Sequence, residues 1–154
     1  MTSGKISKVV VAQRAQWVKE MLESIEELPV RTKEEFLRNR HHAAAAESYL
    51  RRALEALFDI GRHILSKKYA TPVTEYKEIA QRLLEKKVLT QKEAELLRDM
   101  AGYRNRMVHF YHEIGPQELH EICRDHLDDV RTVLAGMIRW LSKNQKARLP
   151  GPSK

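Results

Sequence analysis

Only one cysteine, Cys123, stands in 154 residues, which excludes an internal disulfide and gives no reason to expect an oxidising compartment. Long apolar runs are missing as well. A membrane span needs about 18 or more consecutive apolar residues, whereas the richest stretch, Leu50–Ile60, is interrupted by Arg51, Arg52, Glu55 and Asp59. Met1–Val11 offers Lys5 and Lys8 before only Val9, Val10 and Val11, too little for the apolar core of a secretory signal. A cytoplasmic protein without a membrane segment is the expectation. There is no glycine-rich phosphate loop, no nucleophile elbow and no paired-carboxylate site, which argues against hydrolysis of nucleoside triphosphates. Glycine and proline number six and five, well under the roughly 12% combined of average domains. Pro29, Pro72, Pro116, Pro150 and Pro152 all fall between periodic segments. Acidic residues are absent before Glu20 and after Asp129.

What is present is basic charge and helical periodicity. Twenty-eight Lys and Arg face 21 Asp and Glu, a net charge of +7. That suits an anionic partner such as nucleic acid, and equally an ordinary solvated helical surface. Val11, Ala15, Val18, Leu22 and Ile25 repeat at helical spacing and predict a helix over 9–28. Thr32-Lys-Glu-Glu35 has the capping-box pattern, and the stripe Ala43, Ala46, Leu50, Ala53, Leu57, Ile60 and Ile64 extends that helix to Lys68. Thr71-Pro72 suits the start of a short helix through Tyr76, Ile79, Leu83 and Leu84. A second capping box, Thr90-Gln-Lys-Glu93, opens a helix through Leu97, Met100, Met107 and Phe110 to Ile114. Gly115-Pro116 then starts a last helix with its stripe at Leu119, Ile122, Cys123, Leu127, Val130, Leu134, Met137 and Leu141. The expected fold is all-α, an up-and-down bundle of about four long helices and one short one. It forms a single domain over 1–142, followed by a basic, disordered tail over 143–154.

Polar groups interrupt the apolar pattern in Gly102-Tyr-Arg-Asn-Arg-Met-Val-His-Phe-Tyr111. At 100° per residue, Leu97, Ala101, Arg104, Val108 and Tyr111 share one line, while Gly102, Asn105 and His109 share another. Arg104 thus sits in an apolar stripe, and its root lies about 140° from that of His109 on a regular helix. A joint site needs the reach of the arginine, a distorted helix end, or a second copy of the chain. Histidine transfers protons near neutrality, and the arginine fork matches phosphate oxygens. The pair suits metal-free cleavage of RNA, which carries its own 2′-hydroxyl nucleophile. Three structural alternatives stay open: an interface ion pair for Arg104, a partly buried polar group for His109, and an aromatic cap on the core for Tyr111.

Arg104-Asn-Arg-Met-Val-His109-Phe-Tyr111 resembles the arginine, four residues, histidine, one residue, tyrosine motif of the HepT-like toxins, a branch of the HEPN ribonuclease superfamily. The segment His42–Leu65 is similar to the family's helix before the motif. Pro72–Leu89 looks like its Pro-x-x-x-Tyr entry to a short helix, and the likeness spans Phe36 to Leu141. The resemblance implies a HEPN-like fold and a metal-independent endoribonuclease toxin without a cofactor, working as a homodimer whose motif helices share a cleft. Arg104 would hold the scissile phosphate, His109 would transfer protons and Asn105 would position one of them. Tyr111 would be modified with adenylate by an antitoxin nucleotidyltransferase. Arg106, within the motif, is a further candidate RNA contact, as is Arg51, with Glu47, if the long helix packs on the motif. A second reading is a non-catalytic helical binding partner of a nucleotidyltransferase.

Other polar groups carry less. His120, Cys123 and His126 sweep about 120° around a helix, a poor metal set; Cys123 and His126 read as core groups. His41, His42 and His63 read as surface or cleft-edge groups. No aromatic stacking platform or RNA-reading motif is legible.

Overall fold

A computed structural model describes residues 4–109 and 113–148, with side chains through Asn144. Among these residues there are seven helices and no strands: α1 (Lys8–Glu26), α2 (Lys33–Arg38), α3 (Arg40–Tyr69), α4 (Tyr76–Glu85), α5 (Gln91–Val108), α6 (Pro116–Asp125) and α7 (Leu127–Arg148). The expected all-α bundle is present. Two of the five expected helices are broken into pairs.

α3 is the central mast, and every other helix packs on it. α1 lies along it through Val11, Ala15, Val18, Leu22 and Ile25, all buried as their spacing predicts. Ser7 fixes the start of α1 twice, its hydroxyl accepting from the Val10 N–H (3.2 Å) and its own N–H donating to His63 Nε2 on α3 (2.9 Å). Burial, with Lys67 and Arg14 nearby, pushes the His63 imidazole below its ordinary value, which suits the neutral acceptor that this bond requires.

The expected long second helix is interrupted at Asn39, whose backbone is extended and whose side chain caps α3 by accepting from His41 N–H at 2.9 Å. Thr32 makes no side-chain cap. The physical reason lies at the break: an Asn side chain satisfies an orphan N–H of a new helix better than it continues an old one. The folded-back α2 buries Phe36 completely. The His42 ring nitrogen Nδ1 reaches the Glu35 and Phe36 carbonyls at 3.1 and 3.3 Å, finishing α2.

α4 starts at Tyr76 and not at Thr71-Pro72. α5 begins with the predicted capping box, both halves present. Its buried Glu93 also reaches across to Arg139 of α7 (2.9 Å). A Cβ on Gly136 would lie 2.7 Å from that carboxylate, so the glycine is what lets α7 approach the start of α5.

The last expected helix is split at His126, which corrects its reading as a core group. His126 is exposed and its Nδ1 pairs with Asp129 (2.9 Å) at the joint between α6 and α7. Among the described residues the fully buried histidine is His120, packed on Phe36 with ring centroids 5.2 Å apart. Cys123 is buried as expected, and burial pushes its thiol up to about 12. α7 runs on to Arg148, past the expected boundary at 142, because Lys143, Gln145, Lys146, Ala147 and Arg148 are all good helix formers. No helix among the described residues is long and apolar enough to cross a membrane.

Candidate functional site

Arg104 stands near the end of α5 in a seat built by two other helices. Glu55 of α3 accepts from both Arg104 Nε and Nη2, each at 3.4 Å. The Tyr76 ring of α4 lies under the guanidinium, 4.1 Å from Cζ to the centroid. Arg62 of α3 sits over the same ring at 5.3 Å, and Phe58 packs against it at 4.7 Å. The side chain is 21% exposed, which explains an arginine inside an apolar stripe: its stem and one face are covered while one edge meets solvent.

The distances matter. Charge-assisted bonds to a carboxylate normally close to about 2.7–2.9 Å, so 3.4 Å contacts orient Arg104 without consuming it, and among the described residues only Glu55 bonds it. Glu55 is shared with Arg51, again at 3.4 Å. The structure therefore brings the candidate Arg51 to Arg104 through one carboxylate, one turn along α3 from Glu47. Arg106 differs. It makes a short bidentate pair with Glu118 of α6 at 2.6 and 2.7 Å, which holds the Glu118 carboxyl below its ordinary value. Its place is in a clamp that joins α5 to α6.

His109 is the first residue beyond α5. It forms the C-cap with φ −94° and ψ 104°, its N–H donating to the Asn105 carbonyl. The helical constraint that separates it from Arg104 by about 140° ends at that cap, so helix geometry no longer fixes the direction of the His109 side chain. His109 is exposed, and Asn105 is half-buried on the last turn of α5. Tyr111 lies outside the described residues, as do Phe110 and His112. Among the described residues, a Cβ on Gly102 would meet nothing within 4 Å.

Sequence reasoning missed Glu55 and Tyr76. Only the helix packing pairs them with Arg104, although the Pro72-x-x-x-Tyr76 pattern was a signal for the tyrosine. It also missed a platform of another kind. Trp17 of α1 is 41% exposed and lines a groove of about 420 Å³ with Arg14, Arg52, Glu55 and Asp59, so an aromatic surface beside arginines does exist. His120, Cys123 and His126 do not converge, and no group of three or more metal-ligating side chains is found among the described residues.

Comparison with known proteins agrees with this architecture. A family model described as Ribonuclease HepT-like matches residues 18–137, which include the whole Arg104–Tyr111 motif. A tri-AMPylated Shewanella oneidensis HEPN toxin, solved in complex with an MNT antitoxin, superposes with a TM-score of 0.78 at 20% identity, covering 86% of this chain and 99% of that one. A toxin–antitoxin structure with AMP-PNP superposes with a TM-score of 0.76 at 19% identity, covering 85% of this chain and 99% of that one. No curated protein matches by sequence. The structural likeness gives the HEPN fold, and the family match across most of the chain gives the membership: this protein belongs to the HepT-like ribonuclease family.

Proposed function

We propose that this chain is the toxin of a toxin–antitoxin pair and a metal-independent endoribonuclease, silenced when its antitoxin, a nucleotidyltransferase, modifies Tyr111. The observation that carries the reading is the seat of Arg104. A guanidinium held by Glu55 at 3.4 Å and Tyr76 at 4.1 Å, near a helix end capped by an exposed histidine, is oriented yet open to an anion. In this reading the His109 imidazole takes the proton of a ribose 2′-hydroxyl and that oxygen attacks the adjacent phosphorus. Arg104 stabilises the charge gathering on the non-bridging oxygens, and Asn105 positions the phosphate or its neighbours. The 5′-oxygen leaves with a proton from an imidazolium, giving a 2′,3′-cyclic phosphate and a 5′-hydroxyl. Protonic and electrostatic help both come from side chains, so the step needs no metal.

A homodimer completes this picture, with motif helices facing across a two-fold axis. Gly102 supports it: a mid-helix glycine costs about 0.5–1 kcal/mol, and nothing in its own chain crowds it among the described residues. A monomer is then inactive, which sedimentation beside a nuclease assay checks. Adenylate on Tyr111, two residues from His109, places a bulky anion where RNA phosphate must sit. Family membership and the antitoxin-bound likeness of the neighbouring folds support the toxin role.

The test is cleavage of total RNA by unmodified protein in EDTA, with Arg104→Ala and His109→Ala beside it. Wild-type cleavage with cyclic-phosphate ends, lost in both variants, supports the reading. Intact RNA, from protein shown by mass spectrometry to lack adenylate on Tyr111, turns it to a non-catalytic partner of the nucleotidyltransferase.

A further inference from the structure

The groove between α1 and α3 adjoins the Arg104 seat through a shared residue. Glu55 lines the groove and bonds Arg104. Trp17 is the only aromatic among the large apolar side chains left exposed in the described residues. It stands in the groove with Arg14 on its own helix and Arg52 on α3. Charge favours an anion there. Glu55 meets Arg51 and Arg104, and Asp59 meets Arg14 and Arg62, while Arg52 is exposed and outside these pairs. Each of the two groove carboxylates is thus shared by two arginines, and Arg52 adds a positive charge outside those pairs. The α1 wall adds no acid, since none precedes Glu20.

An exposed tryptophan with arginines on both walls is the composition that receives an unpaired base and its phosphate. Every base offers a π-face to an aromatic ring, and guanidinium groups track the backbone. A duplex cannot use such a groove, because its bases are stacked on one another. Trp17 and Arg14 precede residue 18, where the family match begins.

We propose that the α1–α3 groove is a substrate subsite for single-stranded RNA: a base flanking the scissile nucleotide stacks on Trp17, and its phosphate lies between Arg14 and Arg52. The proposal rests on the ribonuclease reading and deepens it. Specificity for unpaired RNA then comes from α1, away from the residues that perform the chemistry.

The experiment uses full-length protein carrying His109→Ala, which removes proton transfer and leaves the Arg104–Glu55 pair in place, and a fluorescein-labelled single-stranded RNA 12-mer read by anisotropy. Trp17→Ala raises Kd by about five- to a hundredfold, the range of one base–aromatic stack, while Trp17→Phe keeps most of the affinity. Arg52→Ala lowers the slope of log Kd against log salt by about 0.7, one phosphate contact. A 12-mer with abasic positions binds the wild-type surface as weakly as intact RNA binds Trp17→Ala. In the cleaving background, Trp17→Ala loses its preference for single strands over duplex. If wild-type protein cuts RNA but Trp17→Ala binds and cuts equally well, the subsite is refuted and the ribonuclease stands. If wild-type protein neither binds nor cuts, both fall. If Trp17→Ala weakens binding only by changing the oligomeric state in sedimentation, Trp17 is a protein contact and the subsite is refuted.

Discussion

Replacing Tyr76 tests whether the seat of Arg104 governs the rate of RNA cleavage. Tyr76→Leu keeps an apolar side chain between Phe58 and the two guanidinium groups but removes the ring face lying 4.1 Å from Arg104 Cζ. A cation–π contact is worth about 0.5–1 kcal/mol when exposed and about 2 when desolvated. At 21% exposure Arg104 falls in the upper half, so the orienting energy lost is about 1–2 kcal/mol. Spent on transition-state placement, that lowers kcat by about 5- to 30-fold. Kd for uncleaved RNA changes little, because the charge remains and Glu55 still holds it. Tyr76→Phe behaves as wild type, since no hydrogen bond of the Tyr76 hydroxyl is found among the described residues. Single-turnover cleavage of a fluorogenic RNA at 25 °C reads kcat, and anisotropy reads Kd. Loss of the Phe58–Tyr76 ring contact costs about another 1 kcal/mol of stability, a fall of about 2–4 °C in Tm for a domain of this size, so the assay stays well below unfolding. Equal rates in Tyr76→Leu and wild type, or an equal loss in Tyr76→Phe, would refute the argument.

Three further outcomes follow from the packing. Gly136→Ala drives a methyl group to 2.7 Å from the Glu93 carboxylate. It displaces both the capping box and the Arg139 pair, and urea titration reads a loss of about 2–4 kcal/mol. Acidification loosens the fold at two places. The His63 imidazole is held low by burial, Lys67 and Arg14, so its contribution is present above about pH 6.5 and is lost as pH falls through the lowered folded value. Hydrogen exchange at the Ser7 and Val10 amides accelerates first. Burial alone would raise the Glu93 carboxyl, but Arg139 and the Thr90 N–H hold it below 4.5; that support is present above the unfolded value and fails as pH drops through the lower one, read as a later loss of global stability. Finally, Cys123, raised to about 12 by burial, ignores a thiol reagent at pH 8 in the native protein and reacts fully in denaturant.

The helical stripes were legible because burial here follows simple periodicity: each residue that spaces α1 against α3 is buried where its position demands. The Thr90–Glu93 box was legible because its two hydrogen bonds are local. The breaks at Asn39 and His126 were not, since apolar spacing continues across both; the first rests on the Asn39 cap, and at the second His126 ends α6 through its backbone N–H and pairs with Asp129. At the site, Arg104, Asn105 and His109 could be picked out as a motif, yet their setting could not. Glu55 lies 49 positions from Arg104, and nothing local marks it as the residue that will meet the guanidinium. Trp17 looked like any helix residue until α3 placed Arg52 beside it.

The carboxylate of Glu55 has a consequence for which anions the site accepts. It already stands where negative charge is wanted, at a distance too long for a tight pair and too short to ignore. A lone inorganic anion arriving at Arg104 meets a rival tethered to the same scaffold, present at a high local concentration, and gains a single contact for displacing it. A polymer engages several arginines at once and repeats that exchange along its length. On the proposed ribonuclease reading, Glu55 would then act as a valency filter, keeping the guanidinium occupied against single phosphates and yielding to a chain of them.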